Sequence, residues 1–147
     1  MTITAKTILI DIDGVLTDNK VYFDGAGERI KGFHSRDIRA IRELIANGFE
    51  VILLTQSSWN GAASFAKRTG ATIETHRDKW AWVSKNIQGS YIAVGDDTPD
   101  METLRFAEIA FCPADADSQV LNLQKVRVLP VNGGDGVVAE LVKIILN

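Results

Sequence analysis

This sequence predicts a doubly wound α/β fold, a mostly parallel sheet with helices on both faces. Short apolar runs alternate with helical patterns along nearly the whole chain, as strand–helix units do when they fold onto one parallel sheet. The first run, Ile8-Leu9-Ile10, is continuous and β-branched, as a strand buried on both faces should be. Polar or acidic residues stand where the apolar runs end, the edge at which such sheets bind ligands.

The first strand is expected over residues 7–12, ending in Asp11 and Asp13 before Gly14. In extended chain these carboxylates would face the same way, roughly 6.5–7 Å apart. Residues 21–33 break the alternation: an Asp24-Gly25 turn and a Gly-rich centre lie between β-formers, which predicts a hairpin projecting beside the acidic strand end. Ile38, Ile41, Leu44 and Ile45 recur at helical spacing, with Gly48 at the C-terminal cap position. A second strand over residues 50–55 leads to a helix over 59–69, stopped by Gly70. A third strand over 71–74 precedes a helix that begins after Asp78. There Trp80, Val83 and Ile87 share a core-facing side, while Trp82 points away as an exposed ring. The fourth strand covers 91–95, and Thr98-Pro99 reads as an N-cap with proline in the first turn. Strands over 109–112 and 126–128 follow. The last helix begins after Gly133-Gly134-Asp135-Gly136, a flexible lead-in or an anion-binding nest, and buries Val137, Val138, Leu141, Val142 and Ile145.

The 147 residues suit one domain, 1–147, with one substantial core. Hydrophobic residues at 46% and charged residues at 24% are ordinary for a soluble globular protein. A net charge of −3 argues against a nucleic-acid binder or an anionic-membrane binder. The start does not resemble a signal peptide and no apolar run approaches membrane-spanning length, so a cytoplasmic protein is expected. Cys112, the lone cysteine, sits in an apolar run and reads as core. His34 and His76 lack zinc-ligand spacing.

The strand-end residues make chemical sense together. Two carboxylates at the first strand end, Asp11 and Asp13, could hold a phosphoryl-sized group, one attacking while the other handles a proton. Thr55 ends the second strand and could donate to a phosphoryl oxygen. Lys79, at a helix start, could neutralise one, aided by the helix N-terminus. Asp96, Asp97 and Asp100 cluster after the fourth strand and would repel one another without a cation. Oxygen ligands of this kind suit Mg2+.

The ordered set Asp-x-Asp, Thr, Lys, Asp-Asp resembles the haloacid dehalogenase superfamily of phosphotransferases from Asp11 to the final helix. Bacterial receiver domains also place acids, Thr and Lys on a doubly wound fold, but in a different order. The gaps leave no room for a cap domain. The string Asp13-Gly14-Val15-Leu16-Thr17-Asp18, the hairpin, Lys31-Gly32-Phe33-His34-Ser35-Arg36-Asp37 and the late Gly133–Gly136 run resemble the capless 3-deoxy-D-manno-octulosonate 8-phosphate phosphatase family. That family also includes nonulosonate 9-phosphate phosphatases and modules attached to acylneuraminate cytidylyltransferases.

The resemblance implies a Mg2+-dependent phosphomonoester hydrolase acting on a small sugar acid phosphate. Asp11 is then the nucleophile that forms an aspartyl phosphate, and Asp13 the proton carrier. Asp11, Asp96 and the Asp13 carbonyl hold the metal, and Thr55 and Lys79 bind phosphoryl oxygens. Asp97 and Asp100 orient Lys79 or metal-bound water. A homotetramer is also implied, each hairpin helping to cover a neighbour's site.

The chain departs from the family pattern in places. Gln56-Ser57 stands where Gly and a charged residue usually follow the Thr, so Gln56 becomes the neutral candidate for a substrate contact. Ile38 replaces a glycine after Asp37, and Val138-Ala139-Glu140 lacks the usual Arg before the Glu. Arg36 or Arg77 would then supply a cation, and no long tail follows Asn147. A phosphatase for another small phosphomonoester, and a non-catalytic oligomerisation or regulatory module, are the alternatives.

Overall fold

The computed structural model describes residues 2–147. In chain order the strands are β1 (Thr7–Ile10), β2 (Tyr22–Phe23), β3 (Arg29–Ile30), β4 (Glu50–Thr55), β5 (Thr72–Thr75), β6 (Tyr91–Val94), β7 (Ile109–Cys112) and β8 (Val126–Val128). The helices are α1 (Ser35–Ala46), α2 (Asn60–Thr69), α3 (Lys79–Asn86), α4 (Met101–Phe106), α5 (Ser118–Leu121) and α6 (Val137–Ile145). Six strands form one sheet in the order β5-β4-β1-β6-β7-β8, every neighbouring pair parallel. β2 and β3 pair separately as an antiparallel hairpin.

The period-two alternation of the strands divides the core. Ile8, Ile10, Val51, Leu53, Ile92, Val94 and Phe111 face one layer, where α1, α2 and α6 supply Ile41, Leu44, Phe65 and Leu141. Leu9, Ile52, Leu54, Ala93, Ala110 and Cys112 face the other, against Val83, Leu104 and Val120 of α3, α4 and α5. Both faces are therefore covered, which explains the near-continuous apolar strands. The chain winds outward from β1 to β4 and β5, then returns to β6 on the other side of β1. That reversal opens a crevice at the carboxyl ends of β1, β4 and β6.

Several local expectations need correction. β1 ends at Ile10, so Asp11 and Asp13 lie in the turn beyond it rather than on extended strand. The cap before α4 is Asp97, not Thr98: its carboxylate accepts from the Thr98 N–H at 2.7 Å, and Asp100 reciprocates to close a capping box. Trp82 is half-buried with its ring stacked 5.1 Å from that of His76. Trp80 packs against the core edge and stacks on Phe106 at 4.9 Å. α6 buries the five residues expected of it. Among the described residues, no helix is long and apolar enough to cross a membrane.

The Gly133–Gly136 run is neither a loose lead-in nor an open nest. A Cβ on Gly133 would stand 2.0 Å from the Gly14 carbonyl oxygen, and the Gly134 N–H donates to the Val15 carbonyl at 3.0 Å. The last loop thus packs backbone to backbone against the turn that carries Asp11 and Asp13.

Candidate active site

Asp11 continues the strand by one bond, its N–H donating to the Val94 carbonyl at 3.0 Å. Its Oδ1 accepts from the Ile12 N–H at 2.8 Å. The following turn, Ile12–Leu16, is not regular helix: Asp13 is extended at ψ 121° and Gly14 has φ +87°. Gly14 is required twice over. Its φ lies in the left-handed region, and a Cβ there would fall 1.8 Å from Asp96 Oδ2. The absent side chain is what lets Asp96 sit over the turn.

Lys79 opens α3 after the N-cap Asp78, which accepts from the Ala81 N–H. The side chain of Lys79 runs inward and is 3% exposed. Its ammonium donates to Asp11 Oδ1 and to Asp100 Oδ1, each at 2.7 Å. Asp100 uses its other oxygen to accept from the N–H groups of Asp96 and Asp97, at 3.0 and 3.3 Å. The β6 loop and the start of α3 are thereby tied to the nucleophile position through one buried cation.

Asp11, Asp13, Asn19, Thr55, Gln56, Ser57, Lys79, Asp96, Asp97, Pro99 and Asp100 line a single cavity of about 220 Å³. Of the residues singled out from sequence, Arg77 is not in this lining, and Arg36 lies elsewhere. It borders a separate depression between α1 and α6, because α1 runs away from the strand ends. Gln56 lines the cavity while its amide N–H donates to the Arg77 carbonyl at 2.7 Å, bridging the β4 loop to the loop before α3. Thr55 is buried, with its hydroxyl between the Ser57 N–H and carbonyl at 3.3 Å each.

Charge in this cavity is unbalanced. Five carboxylates line it with one ammonium, that of Lys79. Burial, then Asp100, push the Asp11 carboxyl well above its ordinary range despite Lys79, and Asp96 contributes in the same direction. Burial likewise lifts Asp96 to about 6. Both acids are held back from ionising, as expected where burial and neighbouring carboxylates outweigh the one ammonium. Carboxylate oxygens of Asp11, Asp96 and Asp100 lie within 4.8 Å of one another. Asp96 Oδ1 is buried with no hydrogen-bond partner, an orphaned acceptor that a hard cation would satisfy. The donor set therefore fits a divalent metal, with Asp100 joining the expected cluster although both its oxygens already accept protein hydrogen bonds.

No protein-family model matches the chain. It is 32% identical over 152 residues to the 3-deoxy-D-manno-octulosonate 8-phosphate phosphatase of Haemophilus influenzae, covering 96% of this chain and 82% of that protein. The chain belongs to the 3-deoxy-D-manno-octulosonate 8-phosphate phosphatase family. The cavity at the strand ends is therefore the candidate active site. The solved cobalt-bound deoxy-D-mannose-octulosonate 8-phosphate phosphatase from Haemophilus influenzae superposes with a TM-score of 0.82 at 26% identity, over 97% of this chain and 87% of that one. The N-acylneuraminate cytidylyltransferase of Oncorhynchus mykiss is 29% identical over 138 residues, 82% of this chain but only 30% of that protein. The chain thus spans less than a third of that longer protein.

Three site features escaped sequence reasoning. Lys31, on the segment after β3, donates to Asp13 Oδ1 at 2.7 Å. Ser57 Oγ lies 3.4 Å from Asp13 Oδ2. Asn19 lines the cavity and, among the described residues, is the only non-glycine with positive φ, at 65°. A signal existed for Asn19, since an Asp-Asn pair directly after an acidic turn favours left-handed backbone. Lys31 and Ser57 carry none, because their contacts span 18 and 44 residues.

Proposed function

We propose that this protein is a Mg2+-dependent phosphatase that cleaves the phosphomonoester of a 3-deoxy-2-keto sugar acid through a phosphorylated Asp11. The observation that carries the reading is the Lys79 bridge: one buried ammonium fixes Asp11 Oδ1 and Asp100 Oδ1 at 2.7 Å each beside the unpartnered Asp96 Oδ1. Asp11 and Asp96, with the Asp13 carbonyl, would hold the metal. When bound, it supplies positive charge that offsets the substrate dianion and keeps Asp11 ionised.

The protein's own groups then divide the work. Thr55 Oγ1 and Lys79 Nζ bind phosphoryl oxygens at the cavity floor. Asp11 Oδ1 accepts from Lys79 and the Ile12 N–H, which fixes the carboxylate that attacks phosphorus. As that bond forms, the ester oxygen leaves and takes a proton from Asp13. Asp13 then removes a proton from the water that attacks the aspartyl phosphate, freeing Asp11 and inorganic phosphate. Asp100 holds Lys79, and Asp97 caps the turn that presents Asp96. Uncatalysed cleavage of such esters is among the slowest of biological reactions, with enzymatic accelerations up to ~10²¹-fold. Fixed donors and cations aimed at the transferring group are the main source of such gains.

The cavity of about 220 Å³ is smaller than pockets that enclose whole ligands, roughly 300–1,000 Å³. It therefore accounts for the phosphoryl group, while the sugar acid extends toward the mouth. Val21, Tyr22, Phe23 and Ile30 are 46–65% exposed on the hairpin. We assign this apolar face to a second copy of the chain within a homotetramer, an arrangement that sedimentation equilibrium would test.

Phosphate release from 3-deoxy-D-manno-octulosonate 8-phosphate, from a nonulosonate 9-phosphate and from a panel of simple phosphomonoesters, with and without Mg2+, tests the assignment. Metal-dependent turnover selective for the sugar acid esters is expected. Preference for an unrelated ester would overturn the substrate class. No turnover of any ester by folded, Mg2+-bound protein would favour a regulatory module.

A further inference from the structure

One buried charge has no part in the chemistry above. The Lys31 side chain is 6% exposed, and Lys31 is not among the residues that line the cavity. Its ammonium instead donates to Asp13 Oδ1 at 2.7 Å and lies 5.3 Å from the centroid of the Trp59 ring. Trp59 stacks on Phe33 with centroids 5.7 Å apart, and its indole N–H donates to the Arg29 carbonyl at 3.3 Å. Arg29 in turn donates to the Ser58 carbonyl at 3.3 Å. The hairpin strand that leads to Lys31 is therefore pinned to the loop after β4, and Lys31 arrives at Asp13 from a fixed support. The Asp13 side chain is 30% exposed, and among the described residues its one other partner is Ser57 Oγ, 3.4 Å from Oδ2.

We propose that Lys31 is a positioning residue for the proton-transfer steps: it occupies Asp13 Oδ1 and so leaves Oδ2, on the cavity side beside Ser57, as the oxygen that carries the proton. This rests on the phosphatase reading given above. The balance is complete without a further reactant. The proton on Oδ2 passes to the bridging ester oxygen as the P–O bond breaks and the Asp11–phosphorus bond forms. Oδ2 regains a proton from water as the water oxygen bonds to phosphorus and the Asp11 bond breaks. Lys31 keeps its protons throughout. Without it, the Asp13 carboxylate is free to rotate away from its place beside Ser57, and misplacement by about 1 Å can lower a rate on the order of 10²-fold.

Leaving-group dependence separates this role from a scaffold role. An alkoxide needs a proton to leave, whereas p-nitrophenolate is stable as the anion, and kcat/KM reports the step in which the ester bond breaks. With Mg2+ present, Lys31→Met should lower kcat/KM about 10–100-fold on 3-deoxy-D-manno-octulosonate 8-phosphate and less than about threefold on p-nitrophenyl phosphate. Lys31→Arg should restore most of the loss. In an Asp13→Asn background, Lys31→Met should cause no further loss. Equal losses on both esters, or the same loss with Asp13 already replaced, would overturn the proposal. So would a Lys31→Met variant with full activity. Should Lys31→Met not fold, Lys31→Arg must show the same bias toward the sugar ester in its residual deficit, and an unbiased deficit refutes the role. Wild-type protein inert toward both esters would refute the phosphatase reading itself, a failure visible before any variant is made.

Discussion

Replacing Asp37 by Asn should stabilise this protein near neutral pH, although Asp37 is a hydrogen-bonded carboxylate. Asp37 lies in the first turn of α1 and is wholly buried. Its Oδ1 accepts from the Ala139 N–H at 3.0 Å, at the start of α6, while Oδ2 is buried without a partner. Burial drives the carboxyl up from 3.8 to about 6, outweighing the Ala139 N–H, His34 and the Val138 N–H, which all pull it down. A rise of about two units corresponds to about 3 kcal/mol.

Because the folded value is the higher one, the native state retains a proton that the unfolded chain has already lost. Below about pH 4 the group is neutral in both states and carries no penalty. Stability then falls as pH rises toward 6, and the full penalty of about 3 kcal/mol persists above it. Asn keeps the Oδ1 acceptor and adds no charge. Urea denaturation of wild type and Asp37→Asn, from pH 4 to 7.5 in chelator, should give matching stabilities at the acid end. A gap of about 2–3 kcal/mol in favour of Asn should open by pH 7. The difference curve cancels the titration of Asp11 and Asp96, which both proteins share. Parallel curves, or a variant less stable than wild type at pH 7, would refute this account of the α1–α6 junction.

Lys79→Met removes the ammonium bound to Asp11 and Asp100, so kcat on the preferred ester should fall about 10²–10³-fold, as for loss of one fixed donor to a transition state; steady-state kinetics would check it. Gly14→Ala places a Cβ 1.8 Å from Asp96 Oδ2 in a backbone region that disfavours side chains. Displacement of Asp96 should weaken Mg2+ binding more than about tenfold, measured by titration calorimetry. Lys79→Met should leave far more of that affinity intact.

What the sequence revealed and what it withheld divide along a physical line. The apolar periodicity of the strands and of α6 is local, and it located every sheet strand and the five residues buried by the last helix. Asp11, Asp13, Thr55, Lys79 and Asp96 were legible because a parallel sheet gathers its strand ends, so chain order alone predicts their convergence. The exact end of β1 was not legible, since the turn over Gly14 is set by Asp96, 82 positions away in the chain. Gln56 is spoken for by the Arg77 carbonyl, which no spacing rule reports. Lys31 and Asp37 enter the sequence reading only as ends of one string, which does not tell that one is buried against Asp13 and the other under α6. The Gly133-Gly134 pair was misread for the same reason: its lack of side chains serves close backbone packing on the Gly14 turn rather than flexibility.

The measurement that bears most directly on the central claim is acid-quenched single turnover with Mg2+, followed by mass spectrometry of the peptide that contains Asp11 and Asp13. A transient phosphoryl adduct on Asp11, formed before phosphate is released and absent from Asp11→Asn, is the predicted result. Phosphate release that precedes any adduct, or an adduct that persists in Asp11→Asn, would contradict it.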